Sequence, residues 1–505
     1  MPLSAVSREG NVLKSHFISL TAALCAVLLS ALPAAASDPY RSYAYSTTDE
    51  GTLDVAAPQA YLPERVLTGT ELGVALRSPE DLLFDGEGRL YICDTGASAI
   101  HIFSPELRLL RTVTGFKNGG AEDTFSSPYG IFVEADGTLY VADSGNGRVV
   151  VLDREGTLVR TVERPDSDLL AADFRFIPQK VLVDSSDRLF VLGKNVNEGI
   201  LQFTKEGSFL GYYGSNTVVA SPLTRIWKQI MTDEQTAKLT QFVPVEYRNF
   251  SLDYKGFIYA VTSVKNVGDP VRRLNLSGGD VLARTPIDGS AQVVGDVSYP
   301  YAGVTGIVGP SSFVDITSDD LGNYFILDDK RGRVFTYDDM GNLLFVFGTL
   351  SAAQRGAFAS PSAITWHDGK LYATDRTNAE LLVFAPTEYA GLVREAMALY
   401  LRQEYTDSLV RWEEIIKCNN NCDLAYYKAG YCLYRLQRYE EAMKYFKLIN
   451  AKEAYADASD KQGQLWLNDH FDRYVLWAAV AIVLLLALRS AVKRLRRRAA
   501  ARNGE

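Results

Sequence analysis

The strongest constraint on how this chain folds is a degenerate repeat of about 50 residues. The segment "LYVADSGNGRVVVLDREGTLVRTV" (139–162) reads as three short strands separated by two turns, and weaker copies occupy residues 90–113, 324–348 and 371–384. Successive units are 49, 50, 69, 66 and 47 residues apart, measured at Gly88, Gly137, Asp187, Gly256, Gly322 and Gly369. Six units of this length predict a stacked or radial repeat architecture.

Each unit has the pattern of four antiparallel strands, in which apolar and polar residues alternate between frequent turn signals. We therefore predict a mainly β fold, a six-bladed β-propeller over residues 63–387, because radial repetition protects the sheet edges. The last unit lacks a fourth strand, and "ERVLTG" (64–69) resembles the fourth strands of other units. We expect this segment to close the ring as the outer strand of the last blade, after an N-terminal extension over residues 37–62.

One segment relates the repeat to a known family. "SPYGIFVEADGTLYVADSGNGRVVVLD" (127–153) resembles the NHL repeat, and the first, second, fifth and sixth units match that pattern best. The resemblance implies a recognition platform, and an exported propeller on one anchor resembles bacterial sensor ectodomains. An aspartate ends the second strand of these four units, where a short carboxylate can accept backbone N–H bonds and fix the turn. The residues at this position are Asp94, Asp143, Asp328 and Asp375, with Gly193 and Thr262 in the third and fourth units.

The apolar period becomes helical over residues 391–472. "EYTDSLVRWEEII" and "RYEEAMKYFKLI" align at an offset of 34 residues, which matches Trp412 with Phe446. This period resembles tetratricopeptide (TPR) helix pairs, with Gly430 at a small-residue position. The resemblance implies that a protein segment binds along one face of the helices, while so short a stack could also be a spacer. Cys418 and Cys422 flank a turn between two helices, so a short disulfide there is an open alternative.

Both ends of the chain predict export and membrane anchoring. Residues 1–36 combine basic residues, an apolar run and a small-residue cleavage site, as in a removed signal peptide. Residues 474–492 are apolar apart from Arg489 and long enough to cross a bilayer as a helix, and a basic tail follows over residues 493–505. Because basic residues favour the cytoplasmic side, we expect a single-pass cell-membrane protein with extracytoplasmic N-terminal domains and a cytoplasmic tail. The exported part is acidic, which argues against nucleic acid as a partner.

Two long connections between blades, about 214–245 and 285–311, predict where a ligand binds. Both run from a fourth strand to the next first strand, so they lie on one face of a propeller, and loops on a rigid scaffold commonly carry recognition. Side chains on these loops and the adjoining strands suit a sugar or a peptide: Trp227, Arg225, Tyr247, Arg248, Asn249, Tyr299 and Tyr301. The starts of other inner strands add Glu80, Asp81, Tyr129 and Lys180. Trp227 could instead pack its predicted helix, 221–239, onto the propeller.

The sequence favours binding over catalysis. We expect a glycan, peptide or partner protein on the loop face, and a membrane complex such as a transporter at the TPR-like part. The alternative is a lactonase-like, calcium-dependent hydrolase that uses the propeller channel, since its resemblance to such propellers gives Glu80 and Asn249 as part of a ligand set. Calcium needs six or more oxygen donors, and no third convergent ligand is evident in the sequence. Four scattered histidines do not predict a zinc centre, so neither a catalytic residue nor a cofactor is predicted.

Overall fold

The computed structural model describes residues 39–48, 51–171, 173–214, 246–262, 269–284, 287, 293–296 and 309–502. The predicted signal peptide and the predicted helix over 221–239 lie outside the described residues. Within them, the chain forms a six-bladed β-propeller followed by a helical region.

The first three blades are four-stranded antiparallel sheets whose strands pair in chain order. Blade 1 consists of β4 (Pro79–Phe84), β5 (Leu90–Asp94), β6 (Ala99–Phe103) and β7 (Leu109–Val113). A hairpin, β8 (Gly115–Asn118) and β9 (Ala121–Thr124), leads to blade 2, made of β10 (Pro128–Val133), β11 (Leu139–Asp143), β12 (Arg148–Leu152) and β13 (Leu158–Val162). Blade 3 consists of β14 (Pro178–Val183), β15 (Leu189–Gly193), β16 (Ile200–Phe203) and β17 (Phe209–Tyr213).

The remaining blades vary this plan. In the described residues, blade 4 has three strands: β18 (Tyr247–Leu252), β19 (Ile258–Thr262) and β20 (Val271–Leu274). Blade 5 contains β21 (Phe313–Ser318), β22 (Tyr324–Asp328), β23 (Arg333–Tyr337) and β24 (Leu343–Phe347). Blade 6 contains β25 (Pro361–His367), β26 (Lys370–Asp375) and β27 (Glu380–Pro386). The two long connections run into blades 4 and 5, at the positions that the repeat predicts.

The ring closes through an N-terminal strand, as predicted. Strand β3 (Tyr61–Leu67) pairs antiparallel with β27 and so becomes the fourth strand of blade 6. The six inner strands contact their neighbours around the circle, including β25 with β4. A short helix, α1 (Gly69–Leu72), then leads into blade 1.

The segment before β3 adds a feature that the repeat does not predict. Strands β1 (Tyr43–Thr48) and β2 (Gly51–Ala56) form a hairpin outside β24, so the sheet of blade 5 has six strands. Only Tyr43 and Val346 are paired between β1 and β24. The hairpin is also held by the Tyr43 hydroxyl, which donates to Asp296 Oδ1 over 2.5 Å.

The turn aspartates act as predicted. In blade 1 the Asp94 carboxylate accepts hydrogen bonds from the backbone N–H groups of Arg77 (2.8 Å), Ser78 (2.9 Å) and Ala97 (3.1 Å). Asp143, Asp328 and Asp375 accept equivalent bonds, and all four carboxylates are buried. Each aspartate thus joins the incoming connection of its blade to the turn after the second strand.

The helical region starts directly after β27. Four helices form two hairpins, α2 (Glu388–Leu401), α3 (Tyr405–Cys418), α4 (Asp423–Arg435) and α5 (Tyr439–Leu448). Trp412 and Phe446, matched by the 34-residue offset, are both fully buried. Gly430 is needed at its position because an added Cβ atom would lie 2.6 Å from the Phe446 ring. Cys418 and Cys422 are both free thiols in the structure, so the disulfide alternative is not realised here.

The helices pack against the propeller face formed by the turns between first and second strands and between third and fourth strands. The guanidinium of Arg394 on α2 lies 2.9 Å from Asp319, and Lys428 on α4 lies 3.5 Å from Asp338. Tyr389 packs edge-on against Phe345, with ring centres 5.9 Å apart. One hydrophobic core runs through blades 5 and 6 and the helices. The described residues that flank the two long connections therefore lie on the opposite face, away from the helical region.

The final helix, α6 (Lys452–Arg502), joins the bundle to the chain's basic end without interruption. Ala454 and Ala458 are buried against the bundle, whereas the helix from residue 459 onwards is mostly exposed. Among the described residues, this is the one helix that is long and apolar enough to cross a membrane, and its apolar window is not buried by the protein. The segment that is long enough to cross a membrane is therefore continuous with the first turns of α6, which pack against the bundle.

Candidate site at the channel mouth

The inner strands place the predicted polar residues in two successive layers of the central channel. The mouth layer consists of Glu80, Tyr129 and Arg248, joined by Arg376 from the turn after β26. The channel layer is formed by the third residue of four inner strands: Asp81 on β4, Lys180 on β14, Asn249 on β18 and Asp315 on β21. The sequence treats most of these residues as one site, and the structure separates them into two environments.

In the mouth layer, Glu80 is the shared partner. One carboxylate oxygen accepts a hydrogen bond from Ser78 Oγ over 3.2 Å, and the other lies 3.2 Å from the Arg376 guanidinium. The Tyr129 hydroxyl lies near this carboxylate. Burial raises the pKa of Glu80, although Arg376, Ser78 and Tyr129 oppose the shift. Glu80 is therefore a group whose charge can change when a ligand replaces water around it.

Two guanidinium groups flank Glu80 and are only partly exposed. Arg248 donates to Ser312 Oγ (3.1 Å), the Phe313 carbonyl (3.3 Å) and Asp329 (2.8 Å). The side chains of Arg248 and Arg376 are 32% and 31% exposed, so each keeps an accessible edge. Within the described residues, Arg376 Nε is buried without a hydrogen-bond partner. The mouth layer can thus offer guanidinium N–H donors, a phenol and a carboxyl group to one polar ligand.

Arg376 and Asp329 were missed by the sequence analysis, although the repeat contains the signal for them. Both residues directly follow a turn aspartate, at the face where the inner strands begin. At this position in blade 1, Thr95 donates its hydroxyl hydrogen to the Pro128 carbonyl of blade 2 over 2.5 Å. Blade 2 uses Ser144 for the same type of contact with blade 3. Charged residues in blades 5 and 6 therefore break a pattern of hydroxyl side chains and extend into the mouth.

In the channel layer, every predicted residue is engaged in contacts between blades. Lys180 of blade 3 donates to the carboxylate of Asp81 in blade 1. That carboxylate also accepts from the backbone N–H of Ile131 in blade 2 over 2.8 Å. Asp315 of blade 5 accepts from the N–H of Ile364 in blade 6 over 2.7 Å, and Asn249 of blade 4 donates to the Val314 carbonyl over 3.2 Å. Asp81, Asn249 and Asp315 thus bond to the next blade, and the pair of Lys180 with Asp81 links blades 3 and 1 across the channel.

Burial sets the electrostatics of the channel layer. It raises the pKa of Asp315 to about 7, since the carboxylate is fully enclosed. The attraction of Lys180 offsets this effect of burial only in part, and Asp81 adds a smaller repulsion. Burial alone would lower the pKa of Lys180, but Asp81 and Asp315 raise it above its usual value. The ammonium group therefore stays charged between two carboxyl groups. Beyond this layer the channel continues as a cavity of about 240 Å³, between Asp81, Lys180 and Asp315 at one end and Trp366 towards the helical face.

Other predicted residues are not brought into the mouth. The Tyr247 ring is buried, and its hydroxyl donates to the Gly214 carbonyl over 2.7 Å, so this residue anchors the end of the long connection. Arg225, Trp227, Tyr299 and Tyr301 lie outside the described residues, and their contact with a ligand stays a prediction.

The residues present do not fit the calcium site of the lactonase alternative. The Asn249 amide is directed to Val314, and Glu80 is paired with Arg376. Nowhere in the described ranges do three or more His, Cys, Asp or Glu side chains converge as metal ligands. In the channel layer the carboxylates already face the Lys180 ammonium group. The described structure therefore lacks an oxygen cage of the kind that Ca²⁺ requires.

Comparison with known proteins does not assign the chain to a family. No family model matches it, and no curated protein matches its sequence. Solved structures with similar folds include virginiamycin B lyase from Staphylococcus aureus, 11% identical over 69% of this chain and 96% of that chain, with a TM-score of 0.37. A streptogramin B lyase is 13% identical over 70% of this chain and 95% of that one, with a TM-score of 0.36. A structural genomics protein of unknown function from Bacteroides thetaiotaomicron is 11% identical over 67% and 80%, with a TM-score of 0.41.

The strand pairing itself defines the class of this protein. It is a mainly β, six-bladed propeller followed by a helical region with one apolar helix that could span a membrane. The similar structures are too distant in sequence to transfer an activity.

Proposed function

We propose that this protein is a membrane-anchored, extracytoplasmic binding or scaffold protein whose mouth layer recognises a glycan, a peptide or a partner protein. The observation that carries the proposal is the mouth layer itself. Two partly exposed guanidinium groups, a phenol and a carboxyl group of raised pKa converge there. Polar groups of this kind, fixed on a rigid scaffold, provide directional hydrogen bonds to a polar ligand.

The position of the helical region supports this choice of face. The helices cover the opposite side of blades 5 and 6 and leave the mouth layer free of contacts with them. The first strands of blades 4 and 5 begin at this face, and the long connections that precede them in the sequence are loops of the kind that commonly contributes to recognition. In this proposal the propeller is of the NHL type and its ligand binds from the face that points away from the helices.

The anchor follows from α6 and the charge of the chain ends. The helix could span a membrane, and seven basic residues occur from Arg489 onwards. With a removed signal peptide, the positive-inside rule gives an extracytoplasmic propeller and a cytoplasmic tail. The TPR-like bundle then lies next to the membrane. Its ion pairs with the propeller, through α2 and α4, favour a role as a fixed spacer. In this proposal the other two helices, α3 and α5, form the surface that docks a membrane complex such as a transporter.

The test is binding of the full-length protein, purified in detergent, to glycan and peptide arrays. We expect Arg376→Met and Tyr129→Phe to weaken the strongest hits by about tenfold or more, because each removes a hydrogen-bond donor from the mouth. The unfolding free energy should change by less than about 1 kcal/mol, as for other partly exposed ion pairs. Hits that both variants bind as well as the unaltered protein would overturn the mouth as the binding site.

A parallel assay addresses the hydrolase alternative. The same preparation is tested for lactone hydrolysis with Ca²⁺ and with EDTA, and its metal content is measured. Turnover that EDTA abolishes and that Glu80→Gln eliminates would replace the binding proposal with the enzyme. Absence of turnover, together with array hits that depend on Arg376, is the result that the binding proposal predicts.

A further inference from the structure

One face of α6 changes from apolar to basic at the predicted cytoplasmic end of the span. An α-helix has 3.6 residues per turn, so positions separated by three, four and seven residues share a face. Ile482, Leu485, Arg489, Lys493 and Arg496 follow this spacing and line a groove of about 710 Å³ together with Leu486. All of these side chains are exposed. The face thus presents an apolar stripe that runs directly into three cations.

The three cations lack an acidic counterpart on their own helix. No Asp or Glu occurs between Arg473 and Gly504 in the sequence. Arg494 and Arg498, by contrast, lie about 140° and 180° around the helix from Arg489 at about 100° per residue, and Arg497 lies at the margin of the groove face. The basic residues near the end of α6 therefore form two sets with equal charge and different orientation.

We infer that the Arg489, Lys493 and Arg496 face binds the phosphate headgroup of an anionic phospholipid, with an acyl chain along Ile482, Leu485 and Leu486. The inference rests on the proposed membrane span. One helical turn, about 5.4 Å, separates successive cations, and their long side chains can converge on one phosphate while their aliphatic stems remain in the apolar region. Anionic lipids are enriched in the cytoplasmic leaflet and attract basic residues placed just beyond a transmembrane helix.

The orientation of the three side chains distinguishes this site from a general attraction of positive charge to the membrane. A diffuse attraction depends on the number of charges near the surface, so it is indifferent to the face on which they lie. A headgroup site depends on the set that continues the apolar stripe. Two triple variants separate these models: R489Q/K493Q/R496Q, and the control R494Q/R497Q/R498Q, which removes the same three charges.

The experiment is native mass spectrometry of the full-length protein in detergent, titrated with phosphatidylglycerol or with phosphatidylcholine. We expect the unaltered protein to bind phosphatidylglycerol preferentially. The R489Q/K493Q/R496Q variant should lose more than about tenfold in that affinity, since it removes the three charged hydrogen-bond donors that converge on the phosphate. The control variant should keep most of the affinity.

Equal losses in both triple variants, or no preference for phosphatidylglycerol in the unaltered protein, would overturn the lipid site. Carbonate extraction of membranes that contain the full-length protein tests the span separately. If the protein resists extraction but shows no lipid preference, only the lipid site fails. If carbonate releases the protein, the anchor fails and the lipid site fails with it.

Discussion

On β4 and β18 the mouth layer and the channel layer occupy adjacent residues, yet the two layers hold their charged side chains differently. Glu80 and Arg248 face the channel entrance and keep partly exposed partners. Asp81 and Asn249 follow them in the strands and bond to neighbouring blades, and Lys180 of blade 3 bonds to Asp81 of blade 1. The comparison shows that adjacent positions of one inner strand can differ in exposure, one facing the channel entrance and the next bonding to another blade.

The difference arises from strand geometry. Successive side chains on a strand point to opposite sides, and the register of each inner strand is shifted between the first and third residues, for example between Pro79 and Asp81. Glu80 therefore lies beside blade 6 and its Arg376, whereas Asp81 lies beside blade 2 and Ile131.

The largest effect is expected for Lys180→Met. This substitution leaves Asp81 and Asp315 buried without their cation, and breaking a buried ion pair in this way costs about 3–5 kcal/mol. Urea denaturation followed by tryptophan fluorescence measures the loss. Arg376→Met, the matched removal of a cation from the mouth layer, should cost less than about 1 kcal/mol. Similar losses of unfolding free energy for both variants would mean that the cations of the two layers contribute equally to stability.

A smaller loss is expected for Gly130→Ala, at the channel-layer position of blade 2. An added Cβ atom would lie 2.3 Å from the Gln179 carbonyl oxygen and 2.8 Å from Lys180 Cδ. The Lys180 side chain passes over this glycine on its way to Asp81, so we expect the overpacking to cost about 1–3 kcal/mol. Gly86→Ala is the control, because its added Cβ would meet no atom within 4 Å. A tolerated Gly130→Ala would show that Lys180 can take another path.

A pH dependence should follow from Asp315. Its pKa in the folded protein is raised to about 7, above the usual value of 3.8, so the folded state binds this proton more tightly than the unfolded state. Stability from this group is complete below pH 4 and is lost as the pH rises through 7, by about 1 kcal/mol between pH 6 and pH 8. Asp315→Asn should remove that part of the slope in denaturation experiments at the two pH values. An unchanged slope would show that Asp315 does not titrate near pH 7 in the folded protein.

The sequence predicts the ring but not its additions. The repeat gives six blades, the turn aspartates and the closing strand, because each depends on local alternation or on a motif of a few residues. The β1–β2 hairpin is held on blade 5 by the backbone pairing of Tyr43 with Val346 and by the hydrogen bond from the Tyr43 hydroxyl to Asp296. Contacts between residues about 300 positions apart leave no periodic trace in a single sequence. The same reason hides the ion pairs of Arg394 and Lys428 that fix the helices on blade 5.

The candidate site was predicted in part for a related reason. The starts of the inner strands share one face of a propeller, so the neighbouring positions of Glu80, Tyr129 and Arg248 could be predicted from the sequence. Their division from Asp81 and Lys180 depends on which side of each strand a side chain takes, and this follows from the irregular register rather than from residue type. Arg376 could have been found by aligning the residues that follow the turn aspartates. That position holds a hydroxyl side chain in blades 1 and 2 and a charged side chain in blades 5 and 6.

The most direct test of the two layers compares the unfolding free energies of Glu80→Gln and Asp81→Asn, two neutralising changes at adjacent residues of β4. Asp81→Asn removes the charge that pairs with Lys180, so we predict a loss of about 2 kcal/mol or more. Glu80→Gln should change stability by less than about 1 kcal/mol, because its partner Arg376 remains partly exposed. Equal losses, or a larger loss for Glu80→Gln, would contradict the assignment of recognition to one layer and cohesion to the other.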